Sequence, residues 1–283
     1  MRRTLLAFLI LGLIVTACAE ESSDPTASGT QEDGESESDE AACDPENPPL
    51  FEDGVLTVAT DRPAYPPWFE GSPKNYSGYE GDVANHIAGR MGLDITWVVE
   101  PFNKSYAPGA KSYDFDINQI SITPERQEAV DFSDGYFQNN QGLLAPEGEP
   151  ITEATTLEEL KDYDLGAQVG TTSLAFINTE IQPTNQVQVF DTTNDLKSAL
   201  GSGQIDGFFT DVVTTVYLRD FEIKGSEVVG QYASEEQFGM LFEKGSPLVE
   251  CINQVLGEMK SDGTLQGLQD EWLQDYLGVP EFD

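Results

Sequence analysis

The sequence predicts an α/β fold with parallel sheets, and three observations support that prediction. Between Leu50 and Leu277, runs rich in β-branched and aromatic residues alternate with runs whose apolar residues recur at helical spacing. Glycines such as Gly170 and Gly201 end several of these runs, as expected at turns and helix ends. The segment of about 230 residues is long enough for one large lobe or two smaller lobes.

Strands and helices are predicted in alternation along this segment. A helix is predicted over Asp82–Met91, whose apolar residues fall on one face. Thr156 and Glu159 form a capping box that predicts a second helix start, and Asn194 is expected to cap a helix that runs through Leu200. The predicted strands are Val55–Thr60, Ile95–Val99, Asp164–Val169 and Ile205–Thr210.

Residues 1–17 have the layout of a secretory signal peptide. Arg2 and Arg3 give a positive start, and the apolar run Leu5–Val15 is too short for a comfortable membrane span. Small residues precede Cys18, so the segment resembles a bacterial lipoprotein signal in which Cys18 is lipidated and becomes the mature N-terminus. An ordinary secretory signal with a chance cysteine is the alternative. We therefore expect an exported protein, lipid-anchored to the outer face of the cell membrane or in the periplasm.

Residues 18–49 are predicted to form an acidic, disordered tether. They are rich in Ser, Glu, Asp, Gly, Thr and Pro, and they offer too little apolar surface to offset the entropy of ordering. Repulsion between the acidic residues extends such a segment. Its expected role is to hold a folded domain away from the membrane.

The chain carries a large excess of negative charge, with 51 acidic and 14 basic residues and a formal net charge of −37. The tether holds 11 of the acidic residues and the signal two of the basic ones, which leaves about −28 on the folded part. No basic surface is expected, and this excludes nucleic acid as a partner. The acidity favours solubility and is compatible with high salt, where screening weakens the repulsion.

The three cysteines divide between lipidation and a disulfide bond. With Cys18 assigned to lipid, Cys43 and Cys251 remain, and two cysteines in an oxidising compartment are expected to pair. The bond closes a very long loop, for which the chain-entropy model gives about 4–5 kcal/mol. The sequence has no Cys/His spacing for zinc, and its single histidine, His86, falls on the surface of a predicted helix. We therefore expect no metal and no cofactor.

The first of three predicted ligand contacts is Arg126. Thr123 is a natural N-cap and Pro124 a natural first helical residue, so a helix should begin here and place Arg126 in its first turn. The helix dipole disfavours a cation there, and pairing with an anion removes the conflict, since a planar guanidinium matches a carboxylate. A solvated or purely structural arginine is the alternative.

The second and third contacts are also predicted where a strand gives way to a helix. Gly170 permits a sharp turn, and the hydroxyls of Thr171 and Thr172 with free backbone N–H groups form an anion site. Asp211 closes the strand Ile205–Thr210 and opens a helix, where its carboxylate suits an ammonium group. Simple N-capping is the alternative for these residues. Together the three places offer an anion clamp and a cation acceptor, which suits a free amino acid at the ligand edge of an open sheet.

The motifs and their order resemble the family 3 bacterial solute-binding proteins, which are the amino-acid receptors of ABC importers. The resemblance spans essentially Leu50 to Leu277, and so many matches in the expected order make chance implausible. The matching segments are Leu56–Asp61, Tyr65–Phe69, Gly78–Ala84, Ser121–Arg126, Val130–Phe137, Val169–Thr172, Gly203–Gly207, Thr210–Asp211 and Lys260–Leu265.

The resemblance implies a two-lobed periplasmic-binding-protein type II fold, with two open sheets joined by two crossing strands. Residues 50–142 and 240–283 would form lobe 1, and residues 143–239 would form lobe 2. The crossing strands would be Gln141–Ala145 and Phe238–Phe242. Closure of the lobes over the ligand is the implied mechanism.

The resemblance also implies roles for individual residues. Arg126 would grip the ligand α-carboxylate, and Ser121, Thr171 and Thr172 would add hydrogen bonds. Asp211 would accept the α-ammonium group. The other residues expected at the site are Tyr65 or Trp68, which would cover the ligand, Phe102 on the opposite side, and Asp61, Gln168 and Gln119 near the ligand side chain.

The implied function is that of a monomeric, non-enzymatic lipoprotein that delivers an amino acid to the permease subunits of an ABC importer. The chain departs from the family pattern in its first loop, at Asn118–Gln119 and over Phe102–Tyr113, so a specific ligand does not transfer. The additional amides favour a polar amino acid. The alternatives are an extracellular ligand sensor and an amino-acid-processing lyase, although no Ser-His-Asp, Cys-His or metal set is visible.

Overall fold

The computed structural model describes residues 47–283. The predicted signal peptide, the predicted lipidation site Cys18, and Cys43 with the rest of residues 18–46 of the predicted tether lie outside the described residues. Among the helices of residues 47–283, none combines the length and the apolar character needed to cross a bilayer.

The described chain alternates short strands with helices, as predicted. The strands are β1 Val55–Thr60, β2 Asp94–Val99, β3 Phe115–Asp116, β4 Val130–Phe132, β5 Phe137–Gln138, β6 Gln141–Pro146, β7 Leu165–Gln168, β8 Gln188–Phe190, β9 Gly207–Asp211, β10 Ser226–Tyr232, β11 Gln237–Phe238 and β12 Leu241–Glu243. The helices are α1 Tyr79–Met91, α2 Phe102–Ser105, α3 Pro124–Ala129, α4 Thr172–Phe176, α5 Thr193–Gly201, α6 Val212–Tyr217, α7 Leu248–Ser261 and α8 Thr264–Trp272. Single turns of 3-10 helix cover Pro150–Glu153, Glu158–Leu160 and Gln274–Tyr276, and π-helical turns extend α4 over Ile177–Ile181 and α6 over Leu218–Glu222.

The first sheet has the strand order β2-β1-β3-β12-β4. Strand β1 runs parallel to β2 and β3, whereas β12 runs antiparallel to β3 and β4. Leu56, Val58 and Phe115 join Val83 and Ile87 of α1 in a core that α7 and α8 complete. The predicted apolar face of α1 is therefore the face that covers this sheet.

The second sheet has the strand order β10-β6-β9-β7-β8 and is covered on both faces. Leu143 and Phe209 belong to one core, and their neighbours Leu144 and Phe208 belong to the other, because successive side chains of a strand point to opposite faces. Strand β7 runs parallel to β8 and β9, and β6 runs antiparallel to β9 and β10.

Both sheets are mixed, so the α/β prediction is confirmed, whereas the expected parallel pairing holds only for β1, β2 and β3 and for β7, β8 and β9. The antiparallel strands β6, β10 and β12 adjoin the two places where the chain passes from one sheet to the other. β6, the first strand of the second sheet, and β12, by which the chain returns to the first sheet, each run opposite to the strands beside them. Strand alternation in the sequence does not reveal this reversal.

The two sheets are joined by a two-stranded antiparallel ribbon of β5 and β11, with Phe137 opposite Phe238. Two crossing strands were predicted, but they were placed too late in the chain. Gln141–Ala145 belongs to the second sheet, where Gln141 pairs with Asp211, and β12 belongs to the first sheet. The strands that cross between the sheets are only two residues long each, and the second predicted crossing strand overlaps β11 at Phe238.

Two predicted helix starts differ in detail. Glu159 accepts hydrogen bonds from the backbone N–H groups of Thr155 at 2.8 Å and Thr156 at 3.1 Å, as in a capping box. The turn that follows is a single 3-10 turn, because the chain does not continue in helix beyond Leu160. Helix α5 is capped by Thr192, two residues before the predicted cap Asn194.

The C-terminal segment reaches the second sheet. Gln231 of β10 donates its N–H to the carbonyl of Pro280 at 2.8 Å and accepts the N–H of Phe282 at 2.9 Å. The N–H of Asp283 bonds to the carbonyl of Thr155 at 2.9 Å. The lobe boundaries at 142/143 and 239/240 stay a prediction, and the last residues of the chain contact the elements assigned to lobe 2.

Candidate functional site: a polar cleft between the two sheets

A cavity of about 100 Å³ lies between the two sheets, beside the ribbon that joins them. Asp61 follows β1, Gln168 ends β7 and Asp211 ends β9, so the cavity occupies the predicted ligand edge. Its lining is Asp61, Pro63, Tyr65, Phe102, Asn118, Gln119, Ser121, Asn139, Gln141, Gln168, Thr171, Thr172, Ser173, Thr193, Thr210, Asp211, Thr214, Glu236 and Phe238.

Helix α3 begins as the sequence predicts, and it places Arg126 at the boundary between the two sheets. The Thr123 hydroxyl accepts the backbone N–H of Arg126 at 3.2 Å, and Pro124 occupies the first turn. Because these residues fix the start of α3, the guanidinium is directed towards the cleft.

The Arg126 guanidinium binds two backbone carbonyls, one on each side of the cleft. Nη1 donates to the carbonyl of Ser121 at 2.8 Å and Nη2 to that of Gly170 at 2.9 Å. The Cζ atom of Arg126 lies 5.6 Å from the ring centre of Phe102 and 5.0 Å from that of Tyr106. Arg126 is 8 % exposed, and this burial lowers the pKa of its guanidinium, whereas the interaction with Tyr106 raises that pKa. The arginine therefore lies behind the cavity wall and connects the two turns predicted to bind an anion.

The turn after β7 has the predicted form. Gly170 adopts a φ of 73°, and a Cβ at this position would lie 1.9 Å from the Tyr106 hydroxyl oxygen. Thr171 caps α4 by accepting the N–H of Leu174 at 3.2 Å, and its hydroxyl donates to the carbonyl of Gln168 at 2.7 Å. Thr171 therefore acts as an N-cap, which was the alternative to a ligand contact, and it also lines the cavity.

Glu236 is the most connected side chain of the site. One carboxylate oxygen accepts the hydroxyls of Ser121 and Thr172, the latter at 2.5 Å. The other accepts the amide of Gln141 at 2.7 Å and that of Asn139 at 3.3 Å. In this structure a protein carboxylate thus occupies the donors that were predicted to bind an anion.

Asp211 lies at the end of β9, and its side chain both caps α6 and faces the cavity. Oδ1 accepts the backbone N–H of Thr214 at 2.8 Å, and the Thr210 hydroxyl lies 3.5 Å from Oδ2. Burial raises the pKa of Asp211 to about 6, although the bonds from Thr214 lower it, and the charge of Glu236 raises it further. The second carboxylate oxygen has only the weak contact with Thr210, which leaves it available to a donor.

Gln119 lies on the cavity wall in a backbone conformation that is unusual for a residue with a side chain, with a φ of 49°. Its backbone N–H donates to Glu80 at 2.7 Å, and its side-chain amide donates to the other oxygen of Glu80. Tyr136 donates a third hydrogen bond to this carboxyl. Glu80 is 0 % exposed, and burial raises its pKa to about 7 even though these three bonds lower it.

Of the two aromatic residues considered for covering the ligand, Tyr65 lines the cavity and Trp68 does not. The Tyr65 hydroxyl bonds to Asn194 at 3.2 Å, and Lys197 lies 5.8 Å from the ring centre. Trp68 is 0 % exposed and packs in the first core, and its indole N–H donates to Thr214 at 3.0 Å. An amphipathic tryptophan beside an apolar core is buried when its N–H finds a partner, and Thr214 provides one.

Asp61 and Gln168 line the cavity, as predicted for residues near the ligand side chain. Asp61 accepts the backbone N–H of Phe102 at 3.2 Å, which positions that ring at the cavity. Gln168 accepts the hydroxyl of Thr193 at 3.0 Å.

The site contains polar residues that the sequence did not single out, chiefly Glu236, Asn139 and Gln141. Glu236 lies in the connection between β10 and β11, next to another glutamate, Glu235, which is exposed. Nothing in the local sequence distinguishes the two. The ribbon does, because the N–H of Asn139 binds the carbonyl of Glu236 at 2.9 Å and directs this residue into the cleft.

The cavity wall combines hydroxyl and amide groups with three carboxylates, those of Asp61, Asp211 and Glu236. Within the described part of the chain, no lysine or arginine lines it, since Arg126 lies behind the wall. Residues 47–283 also hold no group of three or more His, Cys, Asp or Glu side chains placed to bind a metal ion. The arrangement is suited to reversible binding of a small polar molecule.

Comparison with known proteins agrees with this geometry. Residues 56–275 match the model of the bacterial extracellular solute-binding proteins, family 3. The chain is 28 % identical over 224 residues to the L-cystine-binding protein TcyJ of Escherichia coli (strain K12). This match covers 78 % of this chain and 83 % of that protein. It is 30 % identical over 268 residues to the ABC transporter glutamine-binding protein GlnH of Bacillus subtilis (strain 168), with 93 % of each chain covered.

Among solved structures, an ancestral arginine-binding protein bound to glutamine superposes with a TM-score of 0.69 and 30 % sequence identity, over 78 % of this chain and 99 % of that chain. The predicted periplasmic-binding-protein type II fold is thereby confirmed. All three proteins are named as binding proteins, in agreement with the predicted non-enzymatic role. The chain belongs to family 3 of the bacterial extracellular solute-binding proteins.

Proposed function

We propose that this family 3 solute-binding protein captures a free polar amino acid in the cleft between its sheets and delivers it to the permease of an ABC importer. The observation that carries the proposal is that an anion subsite and an available carboxylate, Asp211, face one small cavity. A zwitterion with its two charges close together matches this pair. The names of TcyJ and GlnH, which specify cystine and glutamine, support an amino acid as cargo.

The α-carboxylate of the ligand would bind near Arg126, with the hydroxyls of Ser121 and Thr172 and the turn at Thr171 as further donors. The positive guanidinium and its position between the two turns support this role. Burying a carboxylate is favourable only when it is paired and hydrogen-bonded, so these groups select for ligands that carry one.

Asp211 would accept the α-ammonium group, and Tyr65 and Phe102 would enclose the ligand. The free acceptor capacity of Asp211 supports its role, and both aromatic residues line the cavity. The ligand side chain would extend towards Asp61, Gln119 and Gln168. Their carboxylate and amide groups favour a polar side chain.

Binding would proceed by closure of two lobes, residues 50–142 with 240–283 and residues 143–239. Contacts across the cleft, such as the bonds from Tyr65 to Asn194 and from Arg126 to Gly170, support a closed arrangement of the described structure. A ligand that bridges Arg126 and Asp211 stabilises that state, and a permease can then recognise its outline.

The mature protein would be a monomer attached to the outer face of the membrane by lipid on Cys18. Membership of a family of extracellular solute-binding proteins supports export. A disulfide between Cys43 and Cys251 would join the tether to α7. Cys251 is 1 % exposed on that helix and is a bonded half-cystine, which supports the pairing.

A thermal-shift screen of the mature protein against the twenty amino acids tests the proposal. At a concentration a hundredfold above Kd, a ligand adds about 2.7 kcal/mol of stability, which is easily seen as a higher Tm. We expect a shift from one or a few polar amino acids, reduced in Asp211→Asn but not in Glu235→Gln. If no amino acid shifts the wild-type Tm, the assignment of an amino-acid cargo is wrong.

A further inference from the structure

Glu236 has an environment that a ligand carboxylate would be expected to have. Its oxygens accept hydrogen bonds from two hydroxyls and two side-chain amides, those of Ser121, Thr172, Gln141 and Asn139. The positive charge of Arg126 lies close enough for Glu236 to raise the pKa of the guanidinium. Hydrogen bonds to an ionised group are among the strongest in proteins, so this set forms a strong carboxylate site.

The four donors come from different parts of the molecule. Ser121 lies between β3 and α3 on the side of the first sheet, whereas Thr172 begins α4 and Gln141 begins β6 on the side of the second. Asn139 belongs to the connection between them. One carboxylate therefore holds the two sides of the cleft together.

We propose that Glu236 is an internal carboxylate that fills the α-carboxylate subsite of the ligand-free protein, stabilises the closed cleft, and is displaced by the carboxylate of the ligand. This inference rests on the proposed amino-acid-binding function and deepens it. Affinity then depends on the displacement of Glu236 as well as on direct contacts with the ligand.

Displacement follows from the charges. Two carboxylates cannot share the hydroxyls of Ser121 and Thr172 without strong repulsion, since both would be negative within a few ångströms of one another. The backbone of Glu236 is fixed by the bond from Asn139 to its carbonyl, so the change is confined to the side chain. The connection at residues 233–236 has no helix or strand, and Glu236 is only partly buried, which leaves room for another rotamer.

The alternative is that Glu236 stays in place and binds the positive group of the ligand. The hydrogen bonds argue against this role. Four donors already use the acceptor capacity of Glu236, whereas Asp211 has an oxygen with only a 3.5 Å contact to Thr210. Asp211 is therefore the better acceptor for an ammonium group.

Acetate tests the proposal without knowledge of the cargo. We compare Tm in sodium acetate and in sodium chloride at equal ionic strength and pH for the wild type, Glu236→Ala and Glu235→Ala. Glu235 is the matched control, because it is an exposed glutamate one residue away. Acetate should raise the Tm of Glu236→Ala by about 2–4 °C, as expected for a weak ligand in a protein of this size, and leave the other two unchanged.

Two results would overturn the proposal. If acetate stabilises none of the three proteins, Ser121 and Thr172 do not form a vacated carboxylate site. If acetate stabilises all three alike, its effect is not directed at the position of Glu236. Neither result bears on whether an amino acid binds, which the thermal-shift screen of the wild type decides separately.

Affinity for the amino acid found in that screen provides the second measurement. If Glu236 occupies the subsite in about nine molecules of ten, its removal should lower the apparent Kd about tenfold, since only the unoccupied fraction binds. Glu236→Gln, which keeps the shape without the charge, should also bind more tightly than the wild type. Small-angle scattering should show a larger radius of gyration for ligand-free Glu236→Ala. Weaker binding by both variants would instead make Glu236 a ligand contact and contradict the proposal.

Discussion

The backbone N–H of Gln119 donates to the buried carboxyl of Glu80 at 2.7 Å. This bond, with a second from the Gln119 side chain, holds a residue of the cavity wall at a φ of 49°. Such a left-handed conformation is unfavourable for a residue with a Cβ by roughly 1–2 kcal/mol. A strained residue of this kind persists where the surrounding structure holds its backbone in place. Here the buried carboxyl of Glu80, which lies outside the cavity lining, holds Gln119 through two hydrogen bonds.

Replacement of Glu80 by Gln should change how stability depends on pH. The pKa of Glu80 is raised from 4.5 to about 7 in the folded protein, so the folded state keeps a proton that the unfolded state releases between these values. The contribution of Glu80 to stability is complete below pH 4.5 and is lost as pH rises through 7, by about 2–3 kcal/mol between pH 5 and pH 8. Glu80→Gln should lack this loss in denaturant unfolding. Glu235→Gln is the control, and a pH-independent difference between Glu80→Gln and wild type would count against the assignment.

Ligand binding should weaken as pH falls through the pKa of Asp211. Burial raises that pKa to about 6, and only the ionised form accepts an ammonium group well. Below pH 6 the affinity should fall about tenfold per pH unit, as measured by titration calorimetry. Asp211→Asn should bind more weakly at pH 7.5 and show little change with pH. Because Asn is also a good N-cap, this variant should keep α6 intact. If the affinity of Asp211→Asn still falls with pH as that of the wild type does, another group is responsible for the titration.

Local chemistry predicted several parts of the site from the sequence. The cap at Thr123, the proline after it and the position of Arg126 depend on residues within one helical turn. The position of Asp211 was predicted for the same reason. An acidic residue between a strand and a helix is expected to cap the helix, and Asp211 ends β9 and caps α6. Such features need no knowledge of the rest of the fold.

Features that depend on distant pairing could not be predicted in this way. Glu236 enters the cleft because β5 and β11 form a ribbon, and their residues are 99 or more positions apart. Trp68 is buried because Thr214, which lies 146 residues away, accepts its N–H. Glu80 lies within the motif Gly78–Ala84, but its role depends on its bonds with the distant residues Gln119 and Tyr136.

The bond between Trp68 and Thr214 should contribute measurably to stability. Thr214→Val removes the acceptor and leaves a buried indole N–H without a partner, which costs about 1–3 kcal/mol. In the Trp68→Phe background the same substitution should have a much smaller effect, because no donor remains. The four proteins form a double-mutant cycle that urea unfolding can measure. Equal effects in both backgrounds would show that Thr214 acts through its packing or its bond to Asp211 and not through Trp68.

Gly78 should be among the least tolerant glycines of the described chain. At a φ of 94°, a Cβ on Gly78 would lie 2.6 Å from the carbonyl oxygen of Trp68 and 2.8 Å from the Cα of Phe69. Gly148 has a similar φ of 80° but has no atom within 4 Å of that position. Gly148→Ala should therefore cost about 1–2 kcal/mol from the backbone alone, and Gly78→Ala considerably more. Equal losses in thermal unfolding would contradict the close approach.

Arg126→Lys should weaken ligand binding although it preserves the charge. A lysine cannot reproduce the planar fork that binds the carbonyls of Ser121 and Gly170 on opposite sides of the cleft. Loss of one such charged hydrogen bond is worth about 1.5–3 kcal/mol, or roughly ten- to a hundredfold in Kd. The control is Arg90→Lys. Arg90 pairs with Asp262 at the surface, and such an exposed ion pair contributes less than about 1 kcal/mol, so this substitution should have little effect. Calorimetry on both variants separates the two arginines, and wild-type affinity in Arg126→Lys would show that charge alone, without the two-carbonyl geometry, is sufficient.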